Sequence, residues 1–361
     1  MCNPSQERNP IECIIPPYMV DKLAKSKDEK ISKLGVTNKI ESAKLRYERA
    51  FIKKLDAKSR NIIKPATTGR NAIAATPRID IYDSENTSAR QWTRITNPAF
   101  SADADVRRAY SGSKATWNLY FNIFNRNSID NAGMRMIHNV NYGMRYANAF
   151  WDGQQMTYGD GDGTIFTSFT QDLDIIAHEL THGVIDYTCG LEYENQSGAL
   201  NESCADVFGI LVKQYTLNQR AKSSNWLIGQ KVVKGTAYAL RSMKEPGKAY
   251  RNHPILGNDP QPAVMSNFRI LPNTEDGDWG GVHINSGIPN FAFYVTSFNL
   301  GGYAWEKAGK IWYAAINDKS LPAKAKFTDM KRVTIAAAVK MYGAGSLEEK
   351  AVKDGWKTAE V

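Results

Sequence analysis

Cysteine and histidine are scarce in this chain, and long apolar runs are absent. The 361 residues include four cysteines, at positions 2, 13, 189 and 204, and no Cys-x-x-Cys pair. So few cysteines do not form the disulfide framework of a small secreted domain. Cys204 lies in an apolar helical pattern typical of a buried thiol. The sequence does not decide whether Cys189 and Cys204 form a disulfide bond. No apolar run reaches 18 residues, which predicts no transmembrane helix.

The N-terminus also lacks an apolar stretch of the signal-peptide type, because residues 1–10 are polar. We therefore expect no Sec-type signal peptide. The chain is 42% hydrophobic, which is enough for a sizeable core spread over two or three domains.

The net charge of +9 is concentrated at one end of the chain. Residues 1–70 contain 16 Lys and Arg against 8 Asp and Glu, so the remainder contributes only +1. A protein that binds nucleic acid needs a basic face on its folded body. The charge distribution therefore argues against nucleic-acid binding as the function.

The strongest chemical signal is an H-E-x-x-H motif at residues 178–182, flanked by apolar residues at helical spacing. His178 and His182 lie one turn apart on the same helix face, where both rings can bind one metal ion. Glu179 lies beside that face, next to the position of a metal-activated water. Catalytic zinc takes three protein ligands and keeps one position open. The motif therefore predicts a hydrolytic zinc site that still needs a third ligand.

Glu202 follows His182 by 20 residues and opens a second predicted helix, so it can complete a His2Glu site. Taken alone, a carboxylate at a helix start is explained by the helix dipole. Asp206, one turn later, and Asn201 can accept hydrogen bonds from the second ring nitrogens of the two histidines. The two segments together predict both the zinc ligands and their supports.

At this point the chain resembles the thermolysin-type metallopeptidases. Six blocks match that family in order over roughly residues 78–361: Asn148–Trp151, Gly159–Gly163, His178–His182, Ser197–Asp206, Leu240–Met243 and Gly280–Gly287. The resemblance implies an α+β fold with two lobes, a β-rich N-terminal lobe and a mainly helical C-terminal lobe, with the zinc helix between them. The short N-terminal segment with Pro16-Pro17-Tyr18 is similar to that of the protealysin-like branch.

The resemblance implies an endopeptidase that uses one zinc ion, held by His178, His182 and Glu202. It would cut on the N-terminal side of large hydrophobic residues, by attack of a zinc-bound water with Glu179 as general base. A peptide-binding protein with a purely structural zinc is the alternative, and the intact Glu179 argues against it because a structural site needs no base.

The remaining site residues are implied in the same way. Tyr193 and His283 would donate hydrogen bonds to the oxyanion, with Asp278 orienting His283; by itself, His283 is more typical of a structural histidine than of a catalytic one. Substrate-binding roles fall to Asn148 and Ala149 for the peptide backbone, Arg241 for a carbonyl, and Phe166, Phe169, Ile175 and Leu240 for the side chain after the scissile bond.

The family's double calcium site is expected to be absent. The matching positions are occupied by Lys213, Asn225, Gln230 and Lys231. A hard cation needs several oxygen ligands, and two ammonium groups repel it. The turn at residues 158–163 is similar to a calcium loop but lacks the glutamate that completes an EF-hand loop.

We expect four regions: an inhibitory prosegment at 1–64, a processing linker at 65–77, and catalytic lobes at 78–186 and 187–361. Cleavage is expected within residues 59–77, which are basic and loop-like. The product would be a secreted, monomeric enzyme without membrane or nucleic-acid partners, whose own prosegment is its inhibitor; a cytoplasmic location is the alternative.

Three modes of action of the prosegment are open. The strip Pro16–Met19, stiffened by two prolines, could lie extended in the cleft. The Cys13 thiolate could instead bind the zinc, or the segment could assist folding without an inhibitory contact. We favour the extended strip, because nothing basic or glycine-rich near Cys13 lowers the pKa of its thiol.

Other elements are predicted from periodicity. One or two amphipathic helices are expected around Gly35, a helix at 102–126, an edge or half-buried strand at 134–142, and a long irregular loop at 244–282. Further helices are expected at 199–215, 288–298, 304–315 and 329–342, with glycines 183, 190 and 198 interrupting the chain.

Overall fold

The computed structural model describes residues 12–59, 76–235 and 237–361. The expected processing linker falls largely outside these ranges, as do the first eleven residues. Within the ranges described, no helix combines the length and the apolarity that a membrane crossing requires.

The N-terminal segment contains helices α1 (Pro17–Ala24) and α2 (Glu29–Ser59). Pro17 opens α1, a position that suits proline because its missing N–H has no partner there. One or two helices are expected around Gly35, and the structure has two, with Gly35 inside α2. A Cβ at Gly35 would lie 2.2 Å from the backbone nitrogen of Ala24. Gly35 therefore lets α1 and α2 cross closely.

Six strands form one mixed sheet in the order β1-β5-β6-β4-β2-β3. Neighbouring strands β2, β4 and β6 run parallel, whereas β1, β5 and β3 pair in antiparallel fashion. Because β1 comes from the N-terminal segment, β5 is the edge of the sheet that the rest of the chain builds. The strands are β1 (Glu12–Cys13), β2 (Ile79–Asp83), β3 (Thr93–Arg94), β4 (Met136–Val140), β5 (Ala149–Trp151) and β6 (Met156–Tyr158).

Strand β4 corrects one expectation, because it lies in the middle of the sheet rather than at an edge. Its polar residues His138 and Asn139 are fully buried. The His138 ring contacts the hydroxyls of Ser113 at 2.9 Å and Tyr158 at 3.1 Å. Polar residues that pair inside the protein look like solvent-facing residues in a sequence pattern.

The helix expected at 102–126 is confirmed as α3 (Ala104–Phe124), which packs against β2 and β4 of the sheet. Asp103 caps its first turn, accepting a hydrogen bond from the backbone N–H of Asp105 at 2.7 Å. Trp117, Tyr120 and Phe124 are buried in the main hydrophobic core. The aromatic stripe of α3 is therefore a packing surface.

The centre of the protein is a pair of helices, α4 (Leu173–Asp186) and α5 (Asn195–Thr216). Gly183 and Gly198 lie within these helices, so the expected interruptions there are wrong. A Cβ would lie 2.8 Å from Ile129 at Gly183 and 2.4 Å from Val282 at Gly198. Both glycines admit close neighbours, whereas Gly190, with φ of 57°, lies in the turn between the helices.

The C-terminal part is mainly helical. Its last helix was not predicted, although Ser346 caps it by accepting from the N–H of Glu349 at 3.2 Å, and its Trp356 packs with Trp312 in the core. The elements are β7 (Leu227–Ile228), β8 (Arg241–Ser242), α6 (Asp278–Asn285), α7 (Gly287–Leu300), α8 (Ala308–Ile316), α9 (Phe327–Tyr342) and α10 (Leu347–Thr358).

Candidate active site

The two histidines of α4 place their ring nitrogens next to each other. His178 and His182 are fully buried, and their Nε2 atoms are 3.0 Å apart. The His178 Nδ1 lies 2.9 Å from Asp206 Oδ1, and the His182 Nδ1 lies 2.8 Å from Asn201 Oδ1. These acceptors hold the ring protons on Nδ1, so the Nε2 atom of each ring is the nitrogen that can bind a metal ion.

Glu202 on α5 faces the two rings. Its Oε2 lies 3.5 Å from Nε2 of His178, and its Oε1 lies 3.5 Å from Nε2 of His182. A tetrahedral zinc ion with bonds of about 2.0–2.1 Å separates its ligand atoms by about 3.3 Å. Among the described residues, these three form a metal-capable group, and their spacing fits zinc. The close approach of the helices depends on Gly209, where a Cβ would lie 2.7 Å from the Asp174 carbonyl oxygen.

Glu179 lies next to this group and is fully buried. Neither of its carboxylate oxygens has a hydrogen-bond partner among the described residues. Burial raises the pKa of Glu179 well above its usual value, and the nearby thiol of Cys13 and carboxylate of Glu202 add to that effect. A buried carboxylate without partners has the character of a proton acceptor beside a metal-activated water.

His283 and Tyr193 form the opposite side of the site, with Nε2 of His283 3.0 Å from the Tyr193 hydroxyl. Asp278 Oδ1 lies 2.5 Å from Nδ1 of His283. Burial opposes protonation of His283, but the Glu202 and Asp278 carboxylates outweigh it and raise the pKa of the ring well above its usual value. A protonated His283 and the Tyr193 hydroxyl are two donors for a developing negative charge.

The turn that positions His283 has an unusual backbone. Asp278 and Trp279 have φ of 54° and 53°, and glycines 280 and 281 have φ of 85° and 80°. In this turn the Asp278 Oδ2 accepts hydrogen bonds from the backbone N–H groups of His283 at 2.9 Å and Ile284 at 3.1 Å. The carboxylate thus holds both the backbone and the ring of His283.

Arg241 on β8 is buried and bound to Asp206 through two hydrogen bonds of 2.8 Å. The guanidinium lowers the pKa of Asp206, against the effect of burial. The third guanidinium nitrogen of Arg241 donates to the carbonyl oxygen of Ile14 at 3.1 Å. Asp206 therefore links His178 of the metal-capable group to an arginine that binds a peptide carbonyl.

Asn148 and Ala149, at the start of β5, also contact the N-terminal segment. The Ala149 carbonyl accepts from the N–H of Ile14 at 3.2 Å, and Asn148 Oδ1 accepts from the N–H of Ile15 at 3.0 Å. The apolar residues expected to line the pocket are all buried in the main core: Phe166, Phe169, Ile175 and Leu240.

The sequence did not predict a role for Asn290 at the site. It lies on α7, is fully buried, and donates from Nδ2 to Asp206 Oδ2 at 2.9 Å. A single asparagine in an apolar helix carries no signal in the sequence that separates it from an ordinary core amide.

The segment in the cleft differs from the expected one. Glu12 and Cys13 form β1 at the site and Ile14 and Ile15 follow as a bend, whereas Pro17 and the residues after it are helical. The Cys13 carbonyl oxygen lies 2.8 Å from Nε2 of His283. The Cys13 thiol instead donates to the carbonyl of Ile15 at 3.5 Å, so the backbone of Cys13 faces the oxyanion donors.

Known proteins resemble this chain over its whole length. Residues 28–186 match the thermolysin metallopeptidase catalytic domain, and residues 189–361 match the thermolysin metallopeptidase alpha-helical domain. The chain is 42% identical to Protease PrtS of Photorhabdus sp. (strain Az29) over 97% of this chain and 92% of that protein. It is 48% identical to an extracellular metalloprotease of Pectobacterium carotovorum subsp. carotovorum, over 72% of this chain and 74% of that one.

A solved structure matches as well. The precursor of protealysin, a metalloproteinase from Serratia proteamaculans, superposes with a TM-score of 0.82 at 39% identity. The match covers 97% of this chain and 99% of that chain. The likeness therefore includes the N-terminal segment together with both lobes.

Proposed function

The chain belongs to the thermolysin family of metallopeptidases, and we propose that it cuts peptide bonds on the N-terminal side of large hydrophobic residues. Its metalloendopeptidase activity and its two-lobed α+β fold follow from that membership. The cleavage preference rests on the family resemblance and on the buried apolar residues Phe166, Phe169, Ile175 and Leu240. The observation that carries the proposal is the fully buried, unpartnered carboxylate of Glu179 next to His178, His182 and Glu202.

His178, His182 and Glu202 are the residues that would hold the zinc ion of this family. When bound, zinc lowers the pKa of a coordinated water and polarises the carbonyl that is attacked. Asp206 and Asn201 keep the two rings in the tautomer that can bind metal, through contacts of 2.9 and 2.8 Å.

The other side chains act on the substrate. Glu179 takes a proton from the attacking water and delivers it to the leaving amine. Tyr193 and His283 donate hydrogen bonds to the oxyanion, a contribution of about 3–4 kcal/mol for a donor of this kind. Asp278 holds His283 in place for that contact.

Substrate backbone is bound at the edge of the sheet. Asn148 and Ala149 supply the hydrogen-bonding groups of β5, in the manner of strand addition. Arg241 binds the carbonyl of the residue after the scissile bond, and its pairing with Asp206 keeps the guanidinium in place.

The N-terminal segment acts as an intramolecular inhibitor, so the chain is made as a zymogen. The support is that β1 occupies the edge of the sheet and that Cys13 and Ile14 occupy the groups just assigned to substrate. Activation requires cleavage within residues 59–77, which separates the prosegment from the two lobes. The mature enzyme is a secreted monomer.

A double calcium site next to the zinc is absent. Lys213 lies 2.5 Å from Asp174 Oδ2 and 3.8 Å from Asp172 Oδ1, so an ammonium neutralises the two carboxylates. Asn225 and Gln230, at two of the expected calcium-binding positions, are bonded to each other at 2.8 Å. These contacts leave little for a calcium ion to bind.

One assay tests the catalytic proposal. The processed, zinc-loaded protein should cleave an unfolded protein on the N-terminal side of large hydrophobic residues, as mapped by mass spectrometry of the fragments. A chelator should abolish cleavage and added zinc should restore it, whereas Glu179→Ala should stay inactive with zinc bound. Wild-type protein that is processed and zinc-loaded yet cuts nothing would contradict the proposal.

A further inference from the structure

The N-terminal strand crosses the active site in a defined register. Backbone groups on both sides of the Cys13–Ile14 peptide bond are held: the Cys13 carbonyl by His283 at 2.8 Å and the Ile14 carbonyl by Arg241 at 3.1 Å. The Ile14 N–H donates to the Ala149 carbonyl at 3.2 Å. One peptide bond is thus fixed at the oxyanion donors by contacts before and after it.

From this register we infer that the Cys13–Ile14 bond is itself a cleavage site, hydrolysed by the active site of the same molecule. The inference rests on the proposed function, because it uses the roles given there to His283, Arg241 and Glu179. It adds a second cut, at a position far from the linker at residues 59–77.

The side chain after the bond suits the pocket. Ile14 is a large apolar side chain and is fully buried in the main hydrophobic core, which also contains Phe166, Phe169 and Leu240. An enzyme that cuts before large hydrophobic residues takes such a side chain at this position. Ile15 is held further along by Asn148, which accepts from its N–H at 3.0 Å. Position 14 therefore has both the register and the side chain of a substrate.

The groups needed for hydrolysis are present around the bond. Glu179 presents two carboxylate oxygens that have no hydrogen-bond partner among the described residues. The oxygen of a water molecule bonds to the Cys13 carbonyl carbon, and one water proton passes through Glu179 to the Ile14 nitrogen. The carbon–nitrogen bond then breaks, leaving a carboxylate on Cys13 and an amine on Ile14. The second water proton leaves to solvent.

The cut does not empty the cleft, because the residues after it stay anchored. On α2, Glu41 accepts from the Tyr142 hydroxyl at 2.6 Å, and Arg46 pairs with Glu275 at 2.5 Å. On α1, Lys22 donates to the Leu256 carbonyl. Residues 1–13 are released, whereas the new N-terminus at Ile14 stays in the primed half of the cleft. Full activity then requires the second cut in the linker.

The test uses the full-length precursor, prepared free of metal and then supplied with zinc. Intact-mass analysis and N-terminal sequencing over time should show loss of residues 1–13 and a new N-terminus at Ile14. The rate should not change on dilution, because the reaction is intramolecular. In Glu179→Gln the rate should fall by about 10²–10⁴-fold. A bond that stays intact in wild type while the linker, or an added unfolded protein, is cut overturns the inference and leaves the proposed function standing.

Variants at position 14 test the register. Ile14→Asp should abolish cleavage of this bond, since a carboxylate does not enter an apolar pocket, whereas Ile14→Phe should still be cut. Val36→Asp is the matched control, because Val36 is exposed on α2, and it should be cut as in wild type. Equal cleavage of Ile14→Asp and wild type overturns the inference, and if no bond is cut in any sample, the proposed function fails and the inference fails with it.

A measurement without catalysis checks the bound strand. In the Glu179→Gln precursor, the amides of Ile14 and Ile15 should exchange hydrogen roughly tenfold or more slowly than in a free peptide of the same sequence. Ile14→Asp in that background should lose the protection. Exchange as fast as in the free peptide contradicts the register.

If Ile14→Asp impairs folding, a synthetic peptide of residues 10–17 serves as the substrate instead. The mature enzyme should cut this peptide between Cys13 and Ile14, and an uncut peptide is evidence against the inferred cleavage site.

Discussion

Lys213 in the last turn of α5 and Asp174 in the first turn of α4 form an ion pair, with Nζ 2.5 Å from Oδ2. Asp174 is fully buried, and its Oδ1 accepts from the N–H of Gly229 at 3.0 Å. Burial raises the pKa of Asp174 to about 6 even with Lys213 beside it. Lys213 thus stabilises an ionised carboxylate that has no solvent around it.

Lys213→Ala should destabilise the protein, because it leaves Asp174 buried without its partner. Breaking such a pair costs about 3–5 kcal/mol, measured as the free energy of unfolding in denaturant at pH 8. The loss should be smaller at pH 5, where Asp174 is protonated. Lys319→Ala, at an exposed lysine, is the matched control and should change stability by less than about 0.5 kcal/mol. Equal effects of the two variants would refute the role of Lys213.

Calcium should leave the thermal stability of the wild-type protein unchanged. The ammonium of Lys213 already neutralises Asp172 and Asp174, so no calcium-binding free energy is added to the folded state. The check is the melting temperature of the zinc-loaded protein with added calcium and with a calcium-selective chelator. A rise of several degrees with calcium, or metal analysis showing two tightly bound calcium ions per chain, would contradict the expected absence of the double site.

Glu179→Gln in the processed enzyme should lower kcat by about 10²–10⁴-fold, because the amide cannot accept the proton of the attacking water. The zinc content should stay at the wild-type level, since Glu179 is not one of the three residues of the metal group. Metal analysis and kcat are measured on the same sample. Loss of zinc along with activity would instead make Glu179 a support of the metal site.

Asn201→Ala should weaken zinc binding about 10–100-fold, because the His182 ring loses the acceptor that holds its tautomer. The change is measured as the zinc dissociation constant by competition with a chelator. Asn122→Ala, at an exposed asparagine of α3, is the matched control and should bind zinc as wild type does. Unchanged affinity in Asn201→Ala would exclude this role of the 2.8 Å contact.

Asp160→Asn should stabilise the protein at high pH. Burial, together with Asp105, Asp103 and Asp83, raises the pKa of Asp160 to about 7. The folded state therefore binds more protons than the unfolded state between about pH 4 and pH 7, and its stability falls as the pH rises through that range. Asparagine does not ionise, so Asp160→Asn should remove this fall in stability with rising pH.

The gain in Asp160→Asn should be close to zero at pH 4 and should reach about 1–2 kcal/mol at pH 8, a value reduced for the partial exposure of the side chain. Unfolding free energies of both proteins at the two pH values give the difference. A gain that is the same at both pH values would mean that the charge of Asp160 is not its cause.

Local rules were sufficient where the chemistry is contained in one or two helices. His178, His182 and Glu179 are set by the geometry of a single helix turn, so their arrangement could be predicted before any packing was known. Glu202 and Asp206 needed only the expectation that a second helix lies beside the first. The expected two-lobed fold came with the family blocks, which the comparisons support over both lobes.

Local rules failed where a contact joins distant segments. The pattern around Gly35 predicts helices, but it does not show that Gly35 permits the crossing of α1 and α2. The alternation at 134–142 predicts an edge or half-buried strand, but β4 lies inside the sheet and its polar residues bond within the protein. Pro17 was expected in an extended strip, but it begins α1. In each case a partner far along the chain decides the outcome, and residue type alone does not reveal that partner.

The metal site of this protein can be predicted from the spacing of its residues, because an H-E-x-x-H helix presents its ligands whatever else surrounds it. Which peptide bond lies in the cleft cannot be predicted from the sequence. Cys13 and Ile14 carry no motif, and their position depends on backbone contacts with His283, Arg241 and Ala149. Backbone hydrogen bonds are the same for every residue type, so the register of a bound strand emerges only when the chain has folded around it.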